Sequence, residues 1–170
     1  EAHKYYAQRN LNELSQESQI IVEPFSRNTA PAIAVGALTA YESDKDAILF
    51  VMPSDHAIQG EEIFKRALKQ AVNLAERNYL VTFGITPNKP ETGYGYIQGG
   101  DSIDNLGFKV EKFIEKPKRE NAEGMINQGG YYWNSGMFVF KARVFLEEIK
   151  QFNPSIYNCC YEAMEGITEN

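Results

Sequence analysis

A chain of 170 residues with 43% hydrophobic content is long enough to bury one substantial core and too short for two ordinary domains. Its formal charge of −6 and pI near 5.0 supply no general basic field, which argues against nucleic acid as a partner. No apolar run approaches the roughly 18 to 20 residues that span a bilayer, and Glu1-Ala2-His3-Lys4 has no signal-peptide pattern, so the expectation is a soluble, cytoplasmic protein with no membrane partner.

Taken in chain order, helical spacing over 1–14 leads to a short apolar strand over 19–22, and a helix over 30–43 leads to a strand over 47–52. In 61–78, Phe64, Ala67, Leu68, Ala71, Val72 and Ala75 recur at helical spacing, and 80–85 reads as the next buried strand. Repeated helix-strand units predict an α/β fold of Rossmann-like character, a mainly parallel sheet with helices on both faces. In such sheets ligands bind beyond the carboxyl ends of the strands, so the loops after Val22, Met52 and Ile85 are the places to search. The second half differs. Strands over 94–98, 108–114 and 136–140 are interrupted by a short helix beginning near Lys118, just after Pro117, and followed by a helix over 142–151; part of this half reads as antiparallel or as a substrate-side lobe.

Cys159 and Cys160 are adjacent, and a bridge between neighbours would be strained and close no useful loop, so reduced thiols are expected. The first residue is not methionine, and 161–170 carry no strong stop signal. Residues 1–170 therefore read as the central part of a single domain cut at both ends.

Five segments carry candidate chemistry. Glu23-Pro24-Phe25-Ser26-Arg27-Asn28-Thr29-Ala30-Pro31-Ala32 follows the first strand and opens a helix, with Thr29 as expected N-cap and Pro31 lacking only a donor that the first turn leaves unpaired. A helix start attracts anionic or polar ligand atoms. Glu23, which as a carboxylate only accepts, suits the paired N–H donors on the Watson-Crick edge of guanine. A capped turn with a solvated Arg27 accounts for the same residues without a ligand.

Met52-Pro53-Ser54-Asp55-His56 ends an apolar strand, which puts Asp55 at the carboxyl end of the sheet. A hard cation such as Mg2+ prefers carboxylate and phosphate oxygens, so Asp55 suits metal-bridged phosphoryl chemistry; a capping aspartate beside a surface histidine is the alternative. His3 and His56 are the only histidines, and nothing has zinc-ligand spacing to either. Pro90-Glu91-Thr92-Gly93-Tyr94-Gly95-Tyr96-Ile97 joins glycines that permit close backbone approach to aromatic faces that line a sugar or base, or is a tight turn into a strand. It lacks the ending of a phosphate-binding P-loop. Phe113-Ile114-Glu115-Lys116-Pro117 ends a strand with two charges whose side chains alternate in direction and need not pair; Glu115 suits sugar hydroxyls and Lys116 a phosphate. Tyr132-Trp133-Asn134-Ser135-Gly136-Met137-Phe138 offers Asn134 as donor and acceptor for hydroxyls amid aromatics that also suit a core.

The order of these motifs, Glu-Pro-x-x-Arg-Asn-Thr-Ala-Pro-Ala, Pro-Ser-Asp-His, Gly-Tyr-Gly-Tyr-Ile, Phe-Ile-Glu-Lys-Pro and Trp-Asn-Ser-Gly-Met-Phe, resembles the mannose-1-phosphate guanylyltransferases over nearly the whole chain. The resemblance implies a nucleotide-diphospho-sugar transferase fold and synthesis of GDP-mannose and pyrophosphate from GTP and mannose 1-phosphate with Mg2+. It implies that Glu23, Arg27, Asn28 and Thr29 bind the nucleotide, Asp55 the metal, Gly95, Glu115 and Asn134 the sugar, and Lys116 the sugar phosphate. Asp55 and Lys116 would be the catalytic pair. The family's glycine-rich signature, of the form Gly-Gly-x-Gly-x-Arg-Leu-x-Pro-Leu, and the second metal aspartate of its Ser-Ile-Asp-Tyr segment are missing from these 170 residues, so the isolated chain is expected to be inactive. Many bacterial members also carry a phosphomannose isomerase domain, and a homo-oligomer is compatible with the pattern. Another sugar-1-phosphate nucleotidyltransferase and a non-catalytic nucleotide-sugar-binding module are the competing readings.

Overall fold

The computed structural model describes residues 2–13, 18–23 and 28–168. Helix α1 spans Ala2–Glu13, α2 Thr29–Ser43, α3 Glu61–Glu76, α4 Arg119–Gln128, α5 Ala142–Phe152 and α6 Pro154–Thr168. The strands are β1, Ile48–Val51; β2, Val81–Ile85; β3, Tyr96–Ile103; β4, Gly107–Ile114; and β5, Tyr131–Lys141. The strand expected over 19–22 is absent: this stretch has no regular structure, and Ile21 and Val22 are exposed. Three apolar residues without a pairing neighbour do not make a strand.

The α/β architecture holds, but its sheet corrects the parallel expectation: every pairing among the described residues is antiparallel. The reason is the long strand β5. Val139 of β5 pairs with Phe50 of β1 and with Val81 of β2, so β1 and β2 run the same way on its opposite edges. The helix-strand repeat does produce co-directed strands, and β5, arriving later in the chain, separates them. Trp133 pairs with both Ile85 of β2 and Tyr96 of β3, which puts β3 on the edge that β1 occupies further along. β3 and β4 form a hairpin through residues 104–106, where the Leu106 amide donates to the Ile103 carbonyl at 2.8 Å around Asp104 and Asn105, both at the positive φ (48° and 58°) that matches strand twist.

Alternation along β1 feeds two cores. Ile48 and Phe50 join Val81, Phe83 and Val139 under Ala71 and Ala75 of α3, while Leu49 faces the opposite layer of α2, α5 and α6. Phe50, Phe64 and Phe83 meet with ring centroids 6.0 to 6.3 Å apart. On the other side Ala34, Ala37, Leu38, Leu146, Ile149, Cys160 and Met164 form the larger cluster. Small alanines on α2 allow close helix packing, and Cys160 Sγ of α6 lies 3.8 Å from the Pro31 carbonyl oxygen in the first turn of α2. Helices therefore cover both faces.

Candidate active site

β1 leaves the edge of β5 at the Val51–Phe138 pair, and β3 joins that same edge at Tyr96–Trp133. Between them Asn134 to Met137 face a break in the sheet edge. Two predicted groups of residues arrive there from opposite sides. The turn holding Asp55 comes off β1, and Gly95 lies immediately before β3.

On the β1 side, Gly136 at φ 72° bends β5, and a Cβ placed there would lie 3.5 Å from Pro53 Cγ. Thr29, Ile33, Val51, Met52, Pro53 and Gly136 are among the residues lining a cavity of about 390 Å³, so the start of α2 opens beside the turn that carries Asp55. Asp55 and His56 are exposed. Thr29 is not the N-cap. Asn28 occupies that position at φ 69° and ψ −176° and makes no side-chain capping bond, while Thr29 is the first helical residue. Asparagine tolerates positive φ better than threonine, whose branched Cβ resists it. With no capping bond from Asn28, the first amides of α2 stay available to a polar ligand as far as the described residues go. Glu23 is exposed and close enough to Cys160 for its charge to act on the thiol. Burial, then Cys159, then Glu23 raise that thiol above its ordinary range. Both cysteines are free. Arg27 lies outside the described residues.

On the β3 side three predicted sugar residues come together. The Asn134 amide donates to the Gly95 carbonyl at 2.8 Å, and a Cβ on Gly95 would lie 3.1 Å from Glu115 Oε2 and 2.7 Å from Phe113 Cζ. Only glycine leaves room there. Tyr94 meets Trp133 edge to face at 5.4 Å. The preceding turn is pinned by Glu91, whose Oε1 accepts the amides of Thr92 (3.2 Å) and Gly93 (3.4 Å). Lys89, 3.0 Å away, and then the Gly93 amide hold the Glu91 carboxyl below the usual range.

Glu115 and Lys116, which strand alternation left free to pair or not, do pair at 3.3 Å. β4 ends at Ile114, and Lys116 adopts φ 42°, which turns both charges to the same side. Thr82 went unnoticed in the sequence, although its hydroxyl lies 3.0 Å from Asn134 Oδ1. The only signal for it was a lone hydroxyl inside an apolar strand. A larger cavity of about 560 Å³ lies among α3, β2 and the β3–β4 hairpin, but none of the sequence-predicted site residues lines it. No cluster of three potential metal ligands occurs among the described residues, and Asp55 stands as a single carboxylate donor.

These features define an α/β domain with a candidate polar site at a break in one sheet edge, between a helix start and a glycine-tyrosine turn. The chain belongs to the nucleotidyl transferase family, whose model matches residues 1–170. Mannose-1-phosphate guanylyltransferase ManC of Salmonella typhimurium is 46% identical over 98% of this chain and 36% of its own length. Xanthan biosynthesis protein XanB of Xanthomonas campestris is 48% identical over 98% of this chain and 35% of its own. Among solved structures, mannose-6-phosphate isomerase from Helicobacter pylori matches with a TM-score of 0.84 at 40% identity, over 96% of this chain and 61% of that one. The chain thus spans little more than a third of the length of the curated relatives it matches. No helix among the described residues is long and apolar enough to cross a membrane.

Proposed function

We propose that the intact protein carrying this chain transfers GMP from GTP to mannose 1-phosphate, giving GDP-mannose and pyrophosphate. The observation that carries the reading is the convergence, at one break in the sheet edge, of the Asp55 turn with Gly95, Glu115 and Asn134. The identity with mannose-1-phosphate guanylyltransferase ManC supports the choice of base and sugar.

In this reading an oxygen of mannose 1-phosphate attacks the α-phosphorus of GTP in line, the α–β anhydride bond breaks, and pyrophosphate leaves with the bonding pair. No covalent enzyme intermediate is required. Glu23 pairs with guanine while Arg27, Asn28 and Thr29 line the nucleotide. Glu115 and Asn134 hold sugar hydroxyls beside Gly95, and Lys116 exchanges its exposed pairing with Glu115 for the sugar phosphate. Asp55 suits Mg2+, an ion that takes one or two carboxylates and completes its shell with phosphate oxygens and water. When bound, the ion would neutralise charge on the phosphates. A cytoplasmic setting accords with nucleotide substrates.

The test is pyrophosphate release, with GDP-mannose identified chromatographically, from GTP, mannose 1-phosphate and Mg2+. Asp55→Asn is expected to lower kcat by about 100-fold or more with the fold retained. Preferred turnover of another base or sugar would assign a sister specificity. Binding of GDP-mannose without turnover of any pair would assign a recognition module.

A further inference from the structure

We propose that Thr82 is a positioning residue for sugar recognition: with the Gly136 amide, it fixes Asn134 so that the side chain offers the ligand N–H donors and no acceptor. This rests on the sugar-phosphate reading of the site and refines it.

Asn134 Oδ1 is held from two directions. Thr82 Oγ1 lies 3.0 Å away, and the backbone N–H of Gly136 donates to the same oxygen at 3.3 Å. The Gly136 contact fixes the orientation of the amide, because a backbone N–H only donates and the atom facing it must be the oxygen. Thr82 Oγ1 also reaches the Met137 carbonyl at 3.2 Å, so its one hydrogen is shared within this corner and is not offered to the cavity Thr82 helps to line. The backbone is fixed as well, through the 2.8 Å bond from the Asn134 amide to Gly95.

The other half of the side chain is open. Among the described residues, the polar side-chain atoms sealed from solvent without a partner are Tyr96 Oη and Trp133 Nε1. Nδ2 of the half-buried Asn134 is not one of these, and among the described residues it has no hydrogen-bond partner. A ligand atom that meets it must accept. Glu115, the carboxylate across Gly95, must instead accept a hydrogen bond from a ligand donor. Asn134 and Glu115 therefore ask opposite things of the sugar, which makes the pair sensitive to how neighbouring hydroxyls are arranged.

The experiment uses the full-length protein. Thr82→Val keeps the branched shape and deletes the hydroxyl; it is expected to raise KM for mannose 1-phosphate about threefold to tenfold, with kcat and KM for GTP within about twofold. Thr82→Ser should restore the lower KM. Loss of thermal stability without a sugar-specific KM change, or equal rises in both KM values, would mean a purely structural threonine and overturn the proposal.

A second measurement needs no variant at Thr82. Deoxy and deoxyfluoro mannose 1-phosphates are compared position by position, since fluorine accepts a hydrogen bond weakly and donates none. At the hydroxyl opposite Asn134 the fluoro sugar should keep the lower KM, and Asn134→Ala should erase the difference. Fluoro analogues no better than their deoxy counterparts at every position would overturn the donor assignment. No turnover of mannose 1-phosphate by the unaltered protein would reject the functional reading itself, a failure distinct from normal turnover with an unmoved KM in Thr82→Val.

Discussion

Lys116 at φ 42° shows how one dihedral sets the behaviour of two charges. By leaving the strand alternation it meets Glu115 in an exposed pair, and such pairs contribute little in water, so in the proposed reaction a sugar phosphate would displace the contact at small cost. The same scale governs base choice. Glu23→Gln replaces one acceptor oxygen with a donor, which opposes a guanine N–H, and the GTP-over-ATP ratio of kcat/KM is expected to fall about tenfold or more. An unchanged ratio would reject Glu23 as the base reader. Asp55 and Glu115 were legible because each is a carboxylate just past a strand end, where a core role is implausible. Thr82 was not, because a threonine within Val81–Ile85 reads as a strand former until its partner 52 residues away is known.

Helices and strands were legible where periodicity was long. Helices α2, α3 and α5 fall within two residues of their expected limits at either end, since each shows an apolar face over several turns. β5 extends five residues before and one beyond the strand expected over 136–140, because Asn134, Ser135 and Gly136 resemble a turn and are instead a bend within a continuous strand. α6 was missed although its start is marked: Asn153 Oδ1 accepts the Ile156 amide at 3.4 Å, and Pro154 opens the helix where a missing donor costs nothing. The α2–α5–α6 layer supports the start of α2 from behind. Leu146→Ala, in that cluster, is expected to destabilise the protein by about 2–5 kcal/mol, read as a lower urea midpoint at unchanged slope. KM for GTP should hold at temperatures where the variant remains folded.

For the whole molecule, sheet direction was the feature that sequence could not supply. Helix-strand repeats report which strands are co-directed and are silent about a later strand inserted between them. Charge, by contrast, is read directly. The 23 acidic groups against 17 basic ones give an anionic chain that must still gather a triphosphate and a sugar phosphate, which makes a counter-ion central to the proposed reaction. Chelation with excess EDTA is expected to reduce turnover to below about 1%, and re-addition of Mg2+ to restore it. Persistent turnover in EDTA would assign that neutralisation to lysine and arginine side chains.

Strand β5 also acts as a ruler. The Asp55 turn and the Gly95 turn are both registered against it, one at Phe138 and the other at Trp133, so the distance between the two halves of the site is measured along Asn134 to Met137. Deleting one residue from that stretch would shorten the spacing by about 3.3 Å and reverse the faces of those that remain. Reacting groups tolerate far smaller displacements. Point substitutions can adjust what this stretch contacts, whereas a change in its length would put the two halves of the candidate site out of register with each other.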